Sequence, residues 1–144
     1  MNTTSIFQKQ FDLNELNARS ANTLGESLGI RITEAGSDFL RGTLPVDGRT
    51  RQPFGLLHGG ASVSLAETLG SLAGWLCRPD DGSLVVGLEI NANHLRAMRE
   101  GTVTGTARAL HLGNSTQVWE IHIEDEGGRL VCISRLTLAV VGKR

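Results

Sequence analysis

Apolar and polar positions along the chain alternate in ways that divide it into helical and extended stretches. Residues 12–25, DLNELNARSANTLG, place Leu13, Leu16 and Leu24 on one edge, as a helix would. Asp12 stands at the N-cap position, Glu15 is its reciprocal partner three residues on, and Gly25 supplies a stop. Residues 28–35 and 38–46 read as strands, with turn chemistry (EAGSD) between them, so they form a hairpin. Residues 47–57 contain Gly48, Pro53 and Gly55 without a clear period and read as a loop. Residues 60–77, GASVSLAETLGSLAGWLC, have helix length and no proline, and their apolar residues fall on every side, which predicts a buried helix. After an exposed turn at 78–83 come four extended stretches, at 84–94, 102–110, 116–124 and 129–141. DEGG at 125–128 is a hairpin signal between the last two.

This order is helix, two strands, long helix, four strands. Short links between the last strands imply antiparallel pairing. One long helix covers one face of such a sheet, so the expected class is α+β: a single antiparallel sheet wrapped around a central helix. The uncovered face and edges predict self-association of like surfaces, a dimer.

Composition narrows the function. The 144 residues amount to one domain, with 1–26 as an N-terminal arm and helix. Lys+Arg 14 against Asp+Glu 15 gives a net charge of -1, which argues against nucleic acid as a partner. Cys77 and Cys132 sit in apolar stretches and read as reduced, buried thiols. The polar N-terminus MNTTSIFQKQ has no secretory h-region, and no apolar run is long enough to cross a bilayer, so the expected location is the cytoplasm with no membrane contact. The four histidines are too dispersed for a metal site. GxSxG, GxGxxG and P-loop patterns are absent and no Cys lies beside a His, so the sequence supports neither a Ser or Cys nucleophile nor nucleotide or hydride chemistry.

One residue breaks the apolar pattern. Glu67 is the sole charged residue between Arg51 and Arg78, in the middle of the apolar helix. Burying a lone carboxylate is costly, so it must face water, find a partner such as the Ser71 hydroxyl, or work as a catalytic group. The preceding GLLHGGA (55–61) brings His58 and two glycines to the helix start, where free N–H groups can hold an oxyanion. Glu67 lies about two turns further in, roughly 10–12 Å along the axis. A flat acyl group lying along the helix could touch both.

On these residues the chain resembles the hotdog-fold acyl-CoA thioesterases. QPFGLLHGGASVSLAE (52–67) is similar to the central-helix signature of that family. The likeness continues through VVGLEINANHLR (85–96), REG (99–101), LHLG (110–113), QVWEI (117–121) and DEGGRLVCISRLT (125–137). Within the family it resembles most the group of dihydroxynaphthoyl-CoA hydrolases and siderophore-proofreading thioesterases, and more distantly the hydroxybenzoyl-CoA thioesterases.

The resemblance implies an acyl-CoA thioesterase preferring aromatic acyl groups, with no cofactor beyond the CoA of its substrate, working as a homodimer that pairs into a tetramer. It implies Glu67 as nucleophile or general base, the Gly59 N–H as oxyanion donor, Gln52 and His58 as groups that orient or polarise the thioester, and Ser71 as a hydroxyl positioning water. It assigns Gly87, His94, Leu95, Arg96 and Ala97 to the CoA thioester. It assigns His111, Leu112, Gly113, Asn114, Ser115 and Thr116 to the nucleotide end, though Asn114 and Thr116 depart from the longer side chains common in relatives.

Plainer roles stand beside these. His58 can cap the helix; His94 and His111 can be strand-end residues; His122 alternates as a solvent-facing strand residue; Trp75 and Trp119 can be packing. Arg96 and Arg99, with Lys143 and Arg144, meet CoA phosphates or form a solvated basic edge. A hotdog thioester dehydratase and a non-catalytic acyl-CoA-binding module are the competing functions. A site completed by a neighbouring chain's 87–97 and 111–116 segments is expected.

Overall fold

The computed structural model describes residues 4–142, so the proposed roles of Lys143 and Arg144 lie outside the described residues. The N-terminal arm leads into α1 (Leu13–Ala18) and α2 (Leu24–Leu28). A hairpin of β1 (Arg31–Ala35) and β2 (Phe39–Pro45) follows, then α3 (Gly59–Leu76). The chain ends with β3 (Leu84–His94), β4 (Thr102–Leu112), β5 (Thr116–Glu124) and β6 (Leu130–Val141).

The predicted 12–25 helix is two short helices. Asp12 does cap α1, accepting the Glu15 N–H at 2.9 Å. The helix then fails because its polar residues find other partners: Asn17 bonds to the backbone of Leu13 and Ile32, and Thr23 Oγ1 donates to the Ser20 carbonyl. Asn22 takes a left-handed turn at φ 61. Gly25 lies inside α2, and the stop is Gly29, at φ 78.

All strand pairs are antiparallel, in the order β1-β2-β4-β5-β6-β3. The crossover through α3 therefore sends β3 to the far edge of the sheet, beside β6. α3 packs on the sheet against β2 through β6. Leu65, Ala66, Leu69 and Ala73 of the helix meet Leu40, Leu44, Val103, Ile121 and Leu136 in one fully buried cluster. Each large side chain sealed there contributes about 1.5–3 kcal/mol. Glycines allow the close approach: a Cβ on Gly105 would stand 2.8 Å from a Leu69 methyl, and one on Gly70 would stand 2.6 Å from Leu136.

The sheet seals only one face of α3. Val63, Glu67, Ser71, Leu72 and Trp75 remain partly accessible, contrary to the helix buried on every side that the pattern predicted. A single sheet cannot reach round a helix, so in one chain the rest of the apolar surface stays open. Trp119 is core packing, its Nε1 donating to Gln117, and Gln117 in turn donates to the Gly74 carbonyl near the end of α3.

Candidate active site

The start of α3 is held by its own sequence. His58 is the N-cap: its Nδ1 accepts the Gly60 N–H at 2.8 Å, and its own N–H donates to the Thr50 carbonyl at 2.8 Å. Nδ1 is thus the acceptor, which leaves Nε2 as the ring nitrogen able to donate. The preceding loop is closed around Gln52, whose side-chain carbonyl accepts from the Phe54 and Leu56 N–H groups. Gly55, at φ 80, completes that turn and presents Phe54, 83% exposed, to solvent.

Beside this helix start lies a cavity of about 400 Å³. Gln52, Leu56, Leu57, Gly59 and Ser62 form one wall, and His94, Leu95, Arg96, Ala97 and Val131 the other. The Gly59 N–H has no hydrogen-bond partner among the described residues, as expected at the first helical position. The amide NH₂ of Gln52 likewise has no acceptor among the described residues. His94 packs directly on Gly59, with Nε2 only 2.8 Å from where a Cβ would be, so glycine alone leaves room for both the ring and an exposed N–H.

β3 runs back along α3 from His94 and meets Glu67 at Gly87. A Cβ on Gly87 would stand 2.6 Å from Glu67 Oε1, so the missing side chain is what gives the carboxylate its place. A bulge at Leu88 bends β3 at this point. Glu67 is half-buried and forms no ion pair or hydrogen bond among the described residues. Ser71 is one turn away and is not bonded to it. Glu67 side chains of this kind lean toward the helix N-terminus, which shortens the axial separation of about 12 Å from Gly59.

The structure thus gathers Gln52, Gly59 and His94–Ala97 around one cavity, with Glu67 and Gly87 in contact further along the same helix. It does not place His58 in that cavity; the ring lines a separate depression with Arg49, Arg51 and Ser64. It does not bring in residues 111–116 either. That turn, closed by the Gly113 N–H on the Thr116 carbonyl, sits at the Ala139 end of β6, whereas the cavity is at the Val131 end. Eight residues of strand separate the two, roughly 25 Å. The chain's own His94–Ala97 lines the cavity, and its own Gly87 lies against Glu67.

Other candidate chemistry falls away. Burial pushes the Cys77 thiol up to about 12 and raises that of Cys132, so neither is a thiolate nucleophile at neutral pH. The larger depression, lined by Arg41, Arg108, Glu120 and His122, lies on the sheet face away from α3, where His122 pairs with Glu120 at 3.2 Å. No helix among the described residues is long and apolar enough to cross a membrane. Four lining residues escape the sequence patterns: Leu56 and Leu57 in the loop, Val131 at the start of β6, and Ser62, a hydroxyl in the buried stripe of α3.

Residues 54–132, from the loop ahead of α3 to the start of β6, match the family model of the thioesterase superfamily, and the chain belongs to that superfamily. It is a thioester hydrolase with a hotdog fold. It is 56% identical to the proofreading thioesterase EntH of Cronobacter turicensis over 95% of this chain and 99% of that one. It is 54% identical to 1,4-dihydroxy-2-naphthoyl-CoA hydrolase of Escherichia coli, over 94% and 99% respectively. Among solved structures, thioesterase HI1161 of Haemophilus influenzae superposes with a TM-score of 0.93 at 52% identity, covering 95% of each chain.

Proposed function

We propose that the protein hydrolyses aromatic acyl-CoA thioesters, with Glu67 as the catalytic carboxylate and the Gly59 N–H as the principal oxyanion donor. One observation carries this reading: at the cavity an N–H, and two turns along the same helix a carboxylate, neither with a hydrogen-bond partner among the described residues. As the thioester carbonyl becomes tetrahedral, its oxygen gains charge, and a fixed N–H stabilises that charge more than the neutral ground state. The Gln52 NH₂ is a second donor on the same wall. Glu67 either attacks the carbonyl carbon or takes a proton from the attacking water, and Ser71, one turn further along α3, is the hydroxyl that positions that water. The leaving thiol has a pKa near ~8.5 and departs as thiolate with little acid help. His58 serves as the cap that holds the donor in place.

The acyl group is aromatic on this reading because the cavity, about 400 Å³ in volume, has apolar walls at Leu56, Leu57, Leu95 and Val131 that suit a flat ring. The E. coli relative is named for a naphthoyl thioester, which agrees.

The working form is a homodimer paired through β3. That strand is eleven residues long, lies at the sheet edge, and exposes Leu84, Val86 and Leu88 ahead of its one acidic residue, Glu89. Such an edge calls for a partner strand. A two-fold mate would also bring its own 111–116 turn within reach of this chain's substrate, and dimers pairing through the open side of α3 would make the tetramer. Free, buried cysteines fit a reducing cytoplasm.

The test is thiol release from a panel of aryl-, short-chain and long-chain acyl-CoAs. The reading expects kcat/KM to be highest for an aryl-CoA; a clear preference for straight-chain substrates overturns the aromatic assignment.

A further inference from the structure

A backbone N–H stabilises a developing oxyanion only if its direction is fixed before the charge appears. Three contacts fix the peptide plane that carries the Gly59 N–H. The carbonyl of that plane, from His58, accepts the Ala61 and Ser62 N–H groups at 3.0 and 3.3 Å. On the other side of Gly59, the Gly60 N–H donates to the His58 ring. Both contacts lie within the first turn of α3 and move with it. The third, from the His58 N–H to the Thr50 carbonyl at 2.8 Å, is the one of the three that reaches outside the helix.

Thr50 is itself tied to the sheet. It is 2% exposed, and its hydroxyl donates to the Pro45 carbonyl at 2.7 Å and accepts the Asp47 N–H at 3.1 Å. Its own N–H donates to the Asp47 carbonyl at 3.0 Å. Pro45 is the last residue of β2 and pairs with Thr102 of β4. A continuous route thus runs from the sheet through the Thr50 hydroxyl to the Thr50 carbonyl, then to His58 and the Gly59 N–H. A hydroxyl can give a hydrogen bond to one backbone group while taking one from another; valine, of the same shape, does neither. Thr50 does not line the cavity; it lies in the depression beside His58. If the hydroxyl served only to tighten the 45–50 turn, its loss would cost stability and leave the rate of each intact site alone.

We propose that Thr50 is a positioning residue for the hydrolysis: its hydroxyl pins the carbonyl that holds His58, and so aims the Gly59 N–H at the thioester carbonyl. This rests on the assignment of that N–H as the oxyanion donor. An oxyanion draws more from a well-aimed donor than a neutral carbonyl does, so losing the hydroxyl acts on kcat and leaves KM nearly unchanged.

The experiment compares wild type, Thr50→Ser and Thr50→Val by thiol release from benzoyl-CoA and by the infrared carbonyl band of bound, isotope-labelled phenacyl-CoA. That ligand is a thioether ketone, which presents a carbonyl but cannot release thiol, and its binding stoichiometry counts intact sites. Thr50→Val should lower kcat per intact site by roughly 10-fold, with KM within about 3-fold of wild type. The carbonyl band, which in wild type lies below that of the ligand in dioxane, should move up toward it as the donor turns away. Thr50→Ser, which keeps the hydroxyl, should restore both. If Thr50→Val does not fold, Thr50→Cys, of similar size with a weaker donor, should show the same changes to a smaller extent. Wild-type kcat and band without the hydroxyl, a loss accounted for by fewer intact sites, a KM that changes as much as kcat, or no rescue by serine overturns the role of Thr50 alone. A wild-type band no lower than in dioxane overturns the Gly59 donor and the Thr50 role together, as does a wild type that does not turn over benzoyl-CoA for the aromatic reading and this role.

Discussion

Gly87→Ala tests whether the contact between β3 and the carboxylate positions Glu67. The added methyl would begin 2.6 Å from Glu67 Oε1, against 3.4–4 Å for ordinary contact, so the carboxylate must move by about 1 Å. The moving atom is the end of a flexible side chain, and Gly87 is not one of the positive-φ glycines, so the fold accepts alanine without strain. A misplacement of about 1 Å in a catalytic group can cost on the order of 100-fold. Expected, then, is a fall in kcat of roughly 10–100-fold with Tm changed by no more than a few degrees. Thiol release measures the first and thermal denaturation the second. A double-mutant cycle isolates the cause: in a Glu67→Gln background the alanine should have little further effect. Full activity in Gly87→Ala, or an undiminished loss in the Glu67→Gln background, would refute the reasoning.

Gln52→Glu keeps the side-chain acceptor for the Phe54 and Leu56 N–H groups but removes the NH₂ that faces the cavity. It should lower kcat/KM by about 100-fold at nearly constant Tm, since a lost oxyanion donor costs that much. Leu88→Lys puts a charge on the exposed β3 edge and should turn dimer into monomer in analytical ultracentrifugation, with activity lost in step; a fully active dimer speaks against pairing through β3. Asp125 closes the β5–β6 turn, and backbone donation from Arg129, ahead of the Arg129 side chain, holds its carboxyl below the ordinary 3.8. A lowered folded pKa means stabilisation that is present above the unfolded value and lost as pH falls through the folded one. The Tm gap between wild type and Asp125→Ala should therefore be widest near neutrality and shrink below pH 3.8, as thermal melts across pH would show.

Much of this fold is legible along the chain. The eighteen residues of α3 announce themselves by length, lack of proline and apolar content, and the strands by alternation or by turn residues at their ends. The capping by Asp12 and the turn at Asp125–Gly128 follow from local chemistry, and local chemistry is readable. What is long-range is less so. Nothing in residues 84–94 says that this strand crosses to pair with β6, and on that crossing depends whether Gly87 faces Glu67 and His94 covers Gly59. The split between α1 and α2 was hidden because Asn17 spends its side chain on Ile32, in another element.

The site was legible in the same proportion. The isolation of Glu67 and the paired glycines at the helix start are properties of neighbouring residues. His58 as a cap rather than a cavity group depends on a ring rotation that no pattern records. The 111–116 turn matches the expected segment, yet its distance from the cavity is a matter of topology.

The most direct measurement is the single-turnover rate of thiol release by Glu67→Gln, a near-isosteric change, on an aryl-CoA that the wild type hydrolyses, with circular dichroism to confirm folding. The account predicts a rate lower by at least 100-fold in a folded protein, since the attacking or proton-accepting oxygen is gone. A folded Glu67→Gln protein releasing thiol at the wild-type rate would contradict it.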